Sequence, residues 1–285
     1  MSLVTLDGVL KEATEKRYAV GSFNVANYDM AEAVLNSAEK TGTPVIISIA
    51  EVHLRYLNID DFVEYLLLRI ERSPLPIVLH FDHGMSFESC SLAVSKGFSS
   101  VMIDASMLPY EQNVEITGRV AEYAHRFGVS VEGELGHVGG GEGDLREGSE
   151  VNREAFTDPS MAVEFVSKTQ LDALAIAVGT VHGPYRGTPE LDFDRIARIR
   201  SLLKTPLVLH GGSGLSDRDF QTAIEKGISK VNFYTQTSLE AVREVKMLLD
   251  SGEPVSYPDL TRLAVRKMEE AIVCQIGVFG TKSCR

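Results

Sequence analysis

Eight short runs of apolar, mostly β-branched residues recur along the chain about every 30 residues, the length of one βα unit. They predict strands over 19–24, 44–50, 76–81, 100–104, 129–134, 173–179, 206–210 and 230–235. The stretches between them have helical periodicity, as with Met30, Ala33 and Ala38. Apolar strands separated by helices form a parallel sheet covered on both faces, and eight units can close it. The sequence therefore predicts a single-domain α/β protein, a (β/α)8 TIM barrel over residues 1–285, with a C-terminal helical extension from about residue 257.

Polar residues stand at or just beyond the end of each predicted strand. They are Asn24, Glu51, Asp82 with His83, Asp104, Glu134, His182, His210 and Asn232. Because the carboxyl ends of barrel strands converge on one rim, where barrel active sites lie, we expect these side chains to share a site.

Three of these residues are histidines from three different strand ends, His83, His182 and His210. Three imidazoles meeting at the rim suit a catalytic zinc ion with an open fourth position, although each histidine could instead be satisfied separately. The other histidines, predicted in a strand, a helix or loops and not as ligands, are His53, His80, His125 and His137.

Glycine-rich segments follow two of the later strands. Residues 210–214 follow strand seven and residues 231–235 close strand eight, the pair of positions that holds a phosphate in many barrels, although tight turns also need glycine. A third glycine-rich segment, 139–148, is interpreted either as a flexible connector or as a lid that carries an acid or base over the substrate.

Charge and composition restrict the partners. The net charge of −12 disfavours nucleic acid and anionic membranes, so a phosphate would be held locally by backbone N–H groups. Without a signal sequence or an apolar run of membrane-spanning length, we expect a cytoplasmic protein. The cysteines Cys90, Cys274 and Cys284 lack CxxC spacing, which argues against disulfides and a thiolate zinc site.

Six motifs resemble those of the class II, metal-dependent fructose-bisphosphate and tagatose-bisphosphate aldolases. They are Leu-His-Phe-Asp-His-Gly at 79–84, Met-Ile-Asp-Ala-Ser at 102–106, Val-Glu-Gly-Glu-Leu-Gly at 131–136, Gly-Thr-Val-His-Gly at 179–183, Leu-His-Gly-Gly-Ser at 209–213 and Lys-Val-Asn at 230–232. They run in order over almost the whole chain and resemble the tagatose-bisphosphate branch most closely.

The resemblance implies roles for individual residues. It makes His83, His182 and His210 the zinc ligands, Asp82 the acid/base for the C4 hydroxyl, and Glu142 the residue that removes the C3 proton of dihydroxyacetone phosphate in condensation. Glu134 and Asp104 match carboxylates of a second or displaced metal position. The implied substrate-binding residues are Asn24, Gly183, Gly211, Gly212, Ser213, Asn232, Phe233, Tyr234 and Thr235. The resemblance also implies a sugar phosphate substrate and a homodimer or homotetramer, and it allows a monovalent cation beside zinc.

The chain departs from the resemblance where the far end of the substrate would bind. It reads Ser-Tyr-Pro at 256–258 where the family commonly has Asp-Pro-Arg, with Pro258 in place of an arginine that reaches a neighbouring subunit's site to hold the distal phosphate. It also has Ala50 in place of a hydroxyl residue, and strand eight ends in Phe-Tyr-Thr-Gln at 233–236. Residues that could replace the distal clamp, or be solvated surface arginines, are Arg55, Arg186 and Arg262.

The first functional hypothesis is therefore aldol cleavage of a ketose 1,6-bisphosphate, of tagatose or fructose type, to dihydroxyacetone phosphate and an aldehyde. The alternative within the family is an aldolase for a ketose 1-phosphate whose distal end carries no phosphate. A zinc-dependent hydrolase on the same fold is the alternative of another class, which the lack of a His-x-His pair on strand one disfavours. With the histidines, Asp82 and Glu142 all present, nothing favours a non-catalytic binding protein.

Overall fold

Eight parallel strands close into a barrel in the computed structural model, which describes residues 2–140, 150–183, 185–187 and 189–284. The strands are β1 (Val20–Asn24), β2 (Val45–Ala50), β3 (Ile77–Gly84), β4 (Ser100–Ile103), β5 (Ser130–Leu135), β6 (Ala173–Ile176), β7 (Leu207–Leu209) and β8 (Ile228–Phe233). Each pairs with its neighbours in chain order, and β8 pairs with β1. The predicted (β/α)8 barrel in one domain is confirmed.

Helices cover the outside of the barrel and one of its ends. They are α1 (Asp7–Lys16), α2 (Tyr28–Thr41), α3 (Ile59–Glu71), α4 (Phe87–Ser95), α5 (Tyr110–His125), α6 (Pro159–Thr169), α7 (Phe193–Leu202), α8 (Asp217–Lys226), α9 (Thr235–Asp250) and α10 (Tyr257–Val278). Among the described residues, 3-10 turns span Glu51–Tyr56 and Arg153–Ala155. The last helix, α10, packs against α2 and α9. None of the described helices combines the length and apolar character needed to cross a bilayer.

The interior of the barrel changes from apolar to polar toward the carboxyl ends of the strands. At the amino end, Leu6 and Leu10 close the barrel against Val78 and other buried apolar residues. The inward positions of β3 continue with His80 and then Asp82, both fully buried. Apolar packing thus supports one end, and polar groups collect at the other.

The end of β3 differs from the prediction, which stopped it at residue 81. The strand continues because Gly84 pairs with Ile103 of β4 after a register shift. Asp82 and His83 therefore lie within the strand, and His83 adopts a left-handed backbone conformation with φ of 47° at that shift.

Strands β6 and β8 also end earlier than predicted. After β6, the backbone of Ala177 bonds to Thr157, and the carbonyl of Val178 accepts from the N–H of Asp192, so these residues leave the sheet. Strand β8 stops at Phe233 because Thr235 already begins α9.

Candidate active site

Three histidines meet at the carboxyl rim of the barrel. His83 lies on β3, whereas His182 and His210 follow β6 and β7. The ring centroid of His83 lies 4.8 Å from that of His182 and 4.7 Å from that of His210. One nitrogen atom of each ring lies within 4.8 Å of the others, and all three side chains are buried. The residues that the sequence predicted as one cluster, here called the histidine cluster, are therefore brought together.

A carboxylate orients His83 within the histidine cluster. Its Nδ1 lies 2.9 Å from Oδ2 of Asp104. Burial alone would raise the pKa of Asp104, but hydrogen bonds from His83 and Ser106 outweigh burial and hold that pKa below its usual value. Because the ionised carboxylate accepts the Nδ1 proton, Nε2 of His83 is the nitrogen that presents a lone pair to the cluster.

A second carboxylate orients His210. Its Nε2 lies 2.8 Å from Oε1 of Glu132, whose Oε2 accepts from Nζ of Lys230 at 2.7 Å. All three side chains are fully buried. Burial would raise the pKa of Glu132, yet the charge of Lys230 and the hydrogen bond from His210 lower it to about 2. Glu132 is therefore an anion that accepts a hydrogen bond from Nε2–H of His210, which leaves the lone pair of the neutral ring on Nδ1.

The donor set of the histidine cluster fits a metal ion. Nδ1 of His210 lies 3.0 Å from Nε2 of His83, so two nitrogen lone pairs face each other at close range. A bound cation would remove the repulsion between them. Burial, followed by the electrostatic effect of His83 and His210, holds the pKa of His182 well below its ordinary value. Neutral imidazoles of this kind are the ligands that Zn²⁺ prefers in catalytic sites.

Asp82 lies beside the histidine cluster and is held by two amides. Its Oδ2 accepts from Nδ2 of Asn24 at 2.7 Å, and its Oδ1 accepts from Nδ2 of Asn232 at 3.2 Å. The carboxyl group is fully buried, which raises its pKa, but electrostatic interactions with His83 and with His80, whose Nε2 lies 3.6 Å from Oδ1 of Asp82, hold the pKa well below its ordinary value. An ionised, positioned carboxylate can accept a proton from a bound hydroxyl group.

Glu134 has the opposite protonation behaviour. Burial and the nearby charge of Asp104 raise its pKa to about 8. Oε1 accepts from the N–H of Val138 at 2.9 Å, while Oε2 is buried and has no hydrogen-bond partner within the described part of the chain. With His83 and Asp104, Glu134 forms a second group of side chains whose ligand atoms are close enough to hold a metal ion.

A small pocket opens beside the histidine cluster, between the segments that follow β6, β7 and β8. Its lining residues are His182, Gly183, Gly211, Gly212, Ser213, Asn232, Tyr234 and Thr235. Gly211 has φ of 69°, and a Cβ there would lie 2.4 Å from the carbonyl oxygen of Val181, so only glycine fits. The first turn of α9, which starts at Thr235, has no side-chain cap. Its N–H groups and those of the glycine segments suit an anion such as phosphate.

One predicted substrate-binding residue, Phe233, has its side chain in the core. The side chain of Phe233 packs against Phe23, Phe220 and Phe279 in the core, because its neighbour Asn232 takes the inward position of β8. The prediction that Phe233 contacts the substrate is therefore wrong for its side chain. Glu142 lies outside the described residues.

The arginines considered for a distal clamp are dispersed. Arg55 is exposed, with its guanidinium 4.7 Å from the ring centroid of Tyr56. Arg186 is also exposed. Arg262 lines a surface groove with Lys40 that shares no residue with the phosphate pocket.

Sequence reasoning missed Glu132, Lys230 and His53. Glu132 lies two residues before Glu134 on a strand, so the alternation of strand side chains places both inside the barrel and could have identified it. Lys230, the charged residue of β8, lies two residues before Asn232 and offered a similar signal. His53 was predicted in a loop, but it lies in the first 3-10 turn and is only 1% exposed as a residue.

Known proteins resemble this chain over nearly its whole length. The family described as Fructose-bisphosphate aldolase class-II matches residues 4–283. A fructose-bisphosphate aldolase of Staphylococcus epidermidis is 40% identical over 288 residues, covering 99% of each chain, and one of Geobacillus stearothermophilus is 44% identical over 262 residues, covering 90% of each. The crystal structure of the YdjI aldolase from Escherichia coli superposes with a TM-score of 0.87 at 34% identity, over 98% of each chain. The chain therefore belongs to the class II fructose-bisphosphate aldolase family.

Proposed function

We propose that this chain is a zinc-dependent aldolase that cleaves a ketose 1-phosphate between C3 and C4 and also catalyses the reverse condensation. The products of cleavage are dihydroxyacetone phosphate and an aldehyde. The observation that carries this proposal is the juxtaposition of three groups at one rim. These are the histidine cluster with its carboxylate-oriented nitrogens, the ionised Asp82, and the glycine-lined pocket.

Zinc would be held by His83, His182 and His210. Asp104 and Glu132 accept hydrogen bonds from N–H groups of two of these rings, so the ring nitrogens that face one another are available as ligands. When bound, zinc supplies a Lewis acid that stabilises the negative charge developing on the substrate oxygens as the bond breaks. Such an ion makes a Schiff-base lysine unnecessary.

Asp82 accepts the proton of the C4 hydroxyl group during cleavage. The electron pair of the O–H bond forms the carbonyl group of the aldehyde, and the electron pair of the C3–C4 bond remains with C3. A proton delivered to C3 then completes dihydroxyacetone phosphate, a role proposed for Glu142. Asn24 and Asn232 keep Asp82 in position, which supports proton transfer over hydrogen-bond distance.

The glycine-lined pocket would bind the phosphate on C1. Gly183 and Gly211 allow close approach of backbone N–H groups, and Ser213 and Thr235 add hydroxyl groups at the same pocket. Tyr185 supports this loop, because its hydroxyl group donates to the carbonyl oxygen of Gly211 at 2.7 Å. The binding energy of this phosphate would fix the position of C3 relative to Asp82.

The far end of the substrate separates two versions of the proposal. The names of the relatives support a ketose 1,6-bisphosphate of fructose type, and the motif resemblance supports the tagatose type. The alternative, a distal end without phosphate, is supported by Pro258, which stands where the family commonly has the arginine of the distal clamp. Homodimer or homotetramer assembly, a cytoplasmic location and a monovalent cation remain predictions.

Metal content and product release test the proposal together. The purified chain should hold about one zinc ion and release dihydroxyacetone phosphate from a panel of ketose 1-phosphates with and without a second phosphate. Release would be followed by coupling to NADH oxidation through glycerol-3-phosphate dehydrogenase. His83→Ala should lose zinc and activity together, whereas His125→Gln, at a surface histidine bonded to Asp172, should keep both. Full activity in the presence of a strong chelator would refute the zinc-dependent mechanism.

A further inference from the structure

A buried histidine outside the histidine cluster lies at the rim beside Asp82. His53 belongs to the 3-10 turn after β2, and Ala50, the last residue of β2, pairs with Asp82 on β3. The centroid of the His53 ring lies 4.7 Å from that of Tyr234 and 6.4 Å from that of Tyr56. We call these three rings the rim cluster. Because Tyr234 also lines the phosphate pocket, the rim cluster borders the site in which Asp82 lies.

The ring of His53 has unmet hydrogen-bonding capacity. Both of its nitrogens are buried, and neither has a hydrogen-bond partner among the residues that the structure describes. Burial lowers the pKa of His53 to about 4, although the charge of Asp82 opposes the shift, so the ring is neutral near pH 7. A neutral imidazole has one N–H donor and one acceptor nitrogen. Since buried polar atoms in folded proteins are nearly always paired, this ring is suited to a ligand that supplies the missing partners.

The charge at the rim cluster favours an uncharged ligand. A neutral imidazole gives a phosphate none of the charge-assisted hydrogen bonds that anion sites use. The ionised carboxylate of Asp82 is close enough to act on His53, and it would repel a second anion. The one cation seen to contact the cluster within the described residues, Arg55, is solvent-exposed over the ring of Tyr56. A hydroxyl group, in contrast, can both donate to and accept from the two nitrogens of His53.

We propose that the rim cluster binds the aldehyde half of the substrate and that His53 hydrogen-bonds an uncharged hydroxyl group there. The substrate class is then a ketose 1-phosphate with a hydroxylated, non-phosphorylated distal end. The aromatic faces of Tyr56 and Tyr234 would pack against its carbon chain. This inference rests on the proposed aldolase function, and it makes His53 a specificity-determining residue.

The test compares two aldehydes in the condensation reaction and adds a reaction that uses neither. The kcat/KM of the wild-type enzyme with dihydroxyacetone phosphate is measured for D-glyceraldehyde and for D-glyceraldehyde 3-phosphate. Exchange of the C3 hydrogen of dihydroxyacetone phosphate with deuterated water, measured without aldehyde, shows whether the half of the site that binds dihydroxyacetone phosphate is active. We expect wild-type enzyme to use glyceraldehyde with a kcat/KM about tenfold higher than its phosphate, consistent with one discriminating interaction.

Variants of His53 separate hydrogen bonding from packing. His53→Ala should lower the ratio of glyceraldehyde condensation to hydrogen exchange about 10- to 100-fold, mainly through the KM for the aldehyde. His53→Gln, whose amide keeps a donor and an acceptor, should keep most of that ratio. His125→Gln is the matched control, since His125 is partly exposed and bonded to Asp172 on the surface.

Three results would overturn the inference. One is a wild-type preference for glyceraldehyde 3-phosphate that Arg55→Gln removes, because it would identify an anion site. Another is an unchanged ratio in His53→Ala. The third is a wild-type enzyme that does not exchange the C3 hydrogen of dihydroxyacetone phosphate, which would refute the underlying aldolase proposal. Normal exchange together with either of the first two results would refute only the role of His53.

Discussion

Glu132→Gln separates the two effects that the buried Glu132–Lys230 pair is expected to have. The substitution keeps the size of the side chain, but it leaves the fully buried Lys230 without its carboxylate at 2.7 Å. Removing one partner of a buried ion pair costs about 3–5 kcal/mol, a large part of an unfolding free energy of about 5–15 kcal/mol. The same change removes the anion that fixes the proton on Nε2 of His210, so zinc affinity should fall about 10- to 100-fold.

The double variant Glu132→Gln, Lys230→Met tests whether these effects are separate. Removing the unpaired ammonium group should restore much of the lost stability, because the buried charge no longer needs a partner. Zinc affinity should remain low, because His210 still lacks its carboxylate. Urea unfolding of the metal-free proteins measures stability, and competition with a chromophoric chelator measures zinc affinity. Recovery of both properties in the double variant would refute the orienting role of Glu132, and an undiminished stability of Glu132→Gln would refute the energetic reasoning.

Further predictions concern proton transfer, acid stability and thiol reactivity. Asp82→Asn should retain zinc, measured by metal analysis, but lose at least about a hundredfold in turnover, and unchanged dihydroxyacetone phosphate release would remove its proposed role. Hydrogen bonds from Arg69, partly opposed by burial, hold the pKa of Glu32 below its ordinary value. The ionised Glu32 therefore stabilises the fold above the unfolded-state pKa, and this stabilisation is lost as pH falls through the folded-state pKa. The difference in unfolding free energy between wild type and Glu32→Gln should therefore shrink below about pH 4, and a constant difference down to acid unfolding would contradict this. Burial raises the pKa of Cys90 to about 12, so Ellman's reagent should label only the two exposed cysteines of the three until the protein is unfolded, and rapid labelling of all three would contradict the structure.

The barrel and its rim could be predicted because both follow from periodic patterns. Alternating strands and helices determine the fold class, and the position of His83, His182 and His210 relative to strand ends brings them to one rim. The sequence alone does not give distances, so it could not show that two carboxylates orient two of the histidines. That arrangement depends on which strands are neighbours across the barrel interior.

Other features depend on local geometry that a sequence pattern does not reveal. The prediction ended β3 at residue 81, because it did not include the register shift that carries the strand to Gly84. Phe233 belongs to the segment 231–235 that was predicted to bind phosphate, but strand alternation directs its ring into the core. His53 resembled a loop histidine, because its burial comes from packing against Tyr234, which is distant in sequence.

X-ray absorption spectroscopy of the zinc-loaded protein would show whether the histidine cluster holds one zinc ion. We expect about three imidazole nitrogens at about 2.0–2.1 Å with an oxygen atom in the remaining position. In His210→Ala, the imidazole contribution should decrease by one ring. Sulfur neighbours at about 2.3 Å, or a spectrum that the loss of His210 leaves unchanged, would contradict the account.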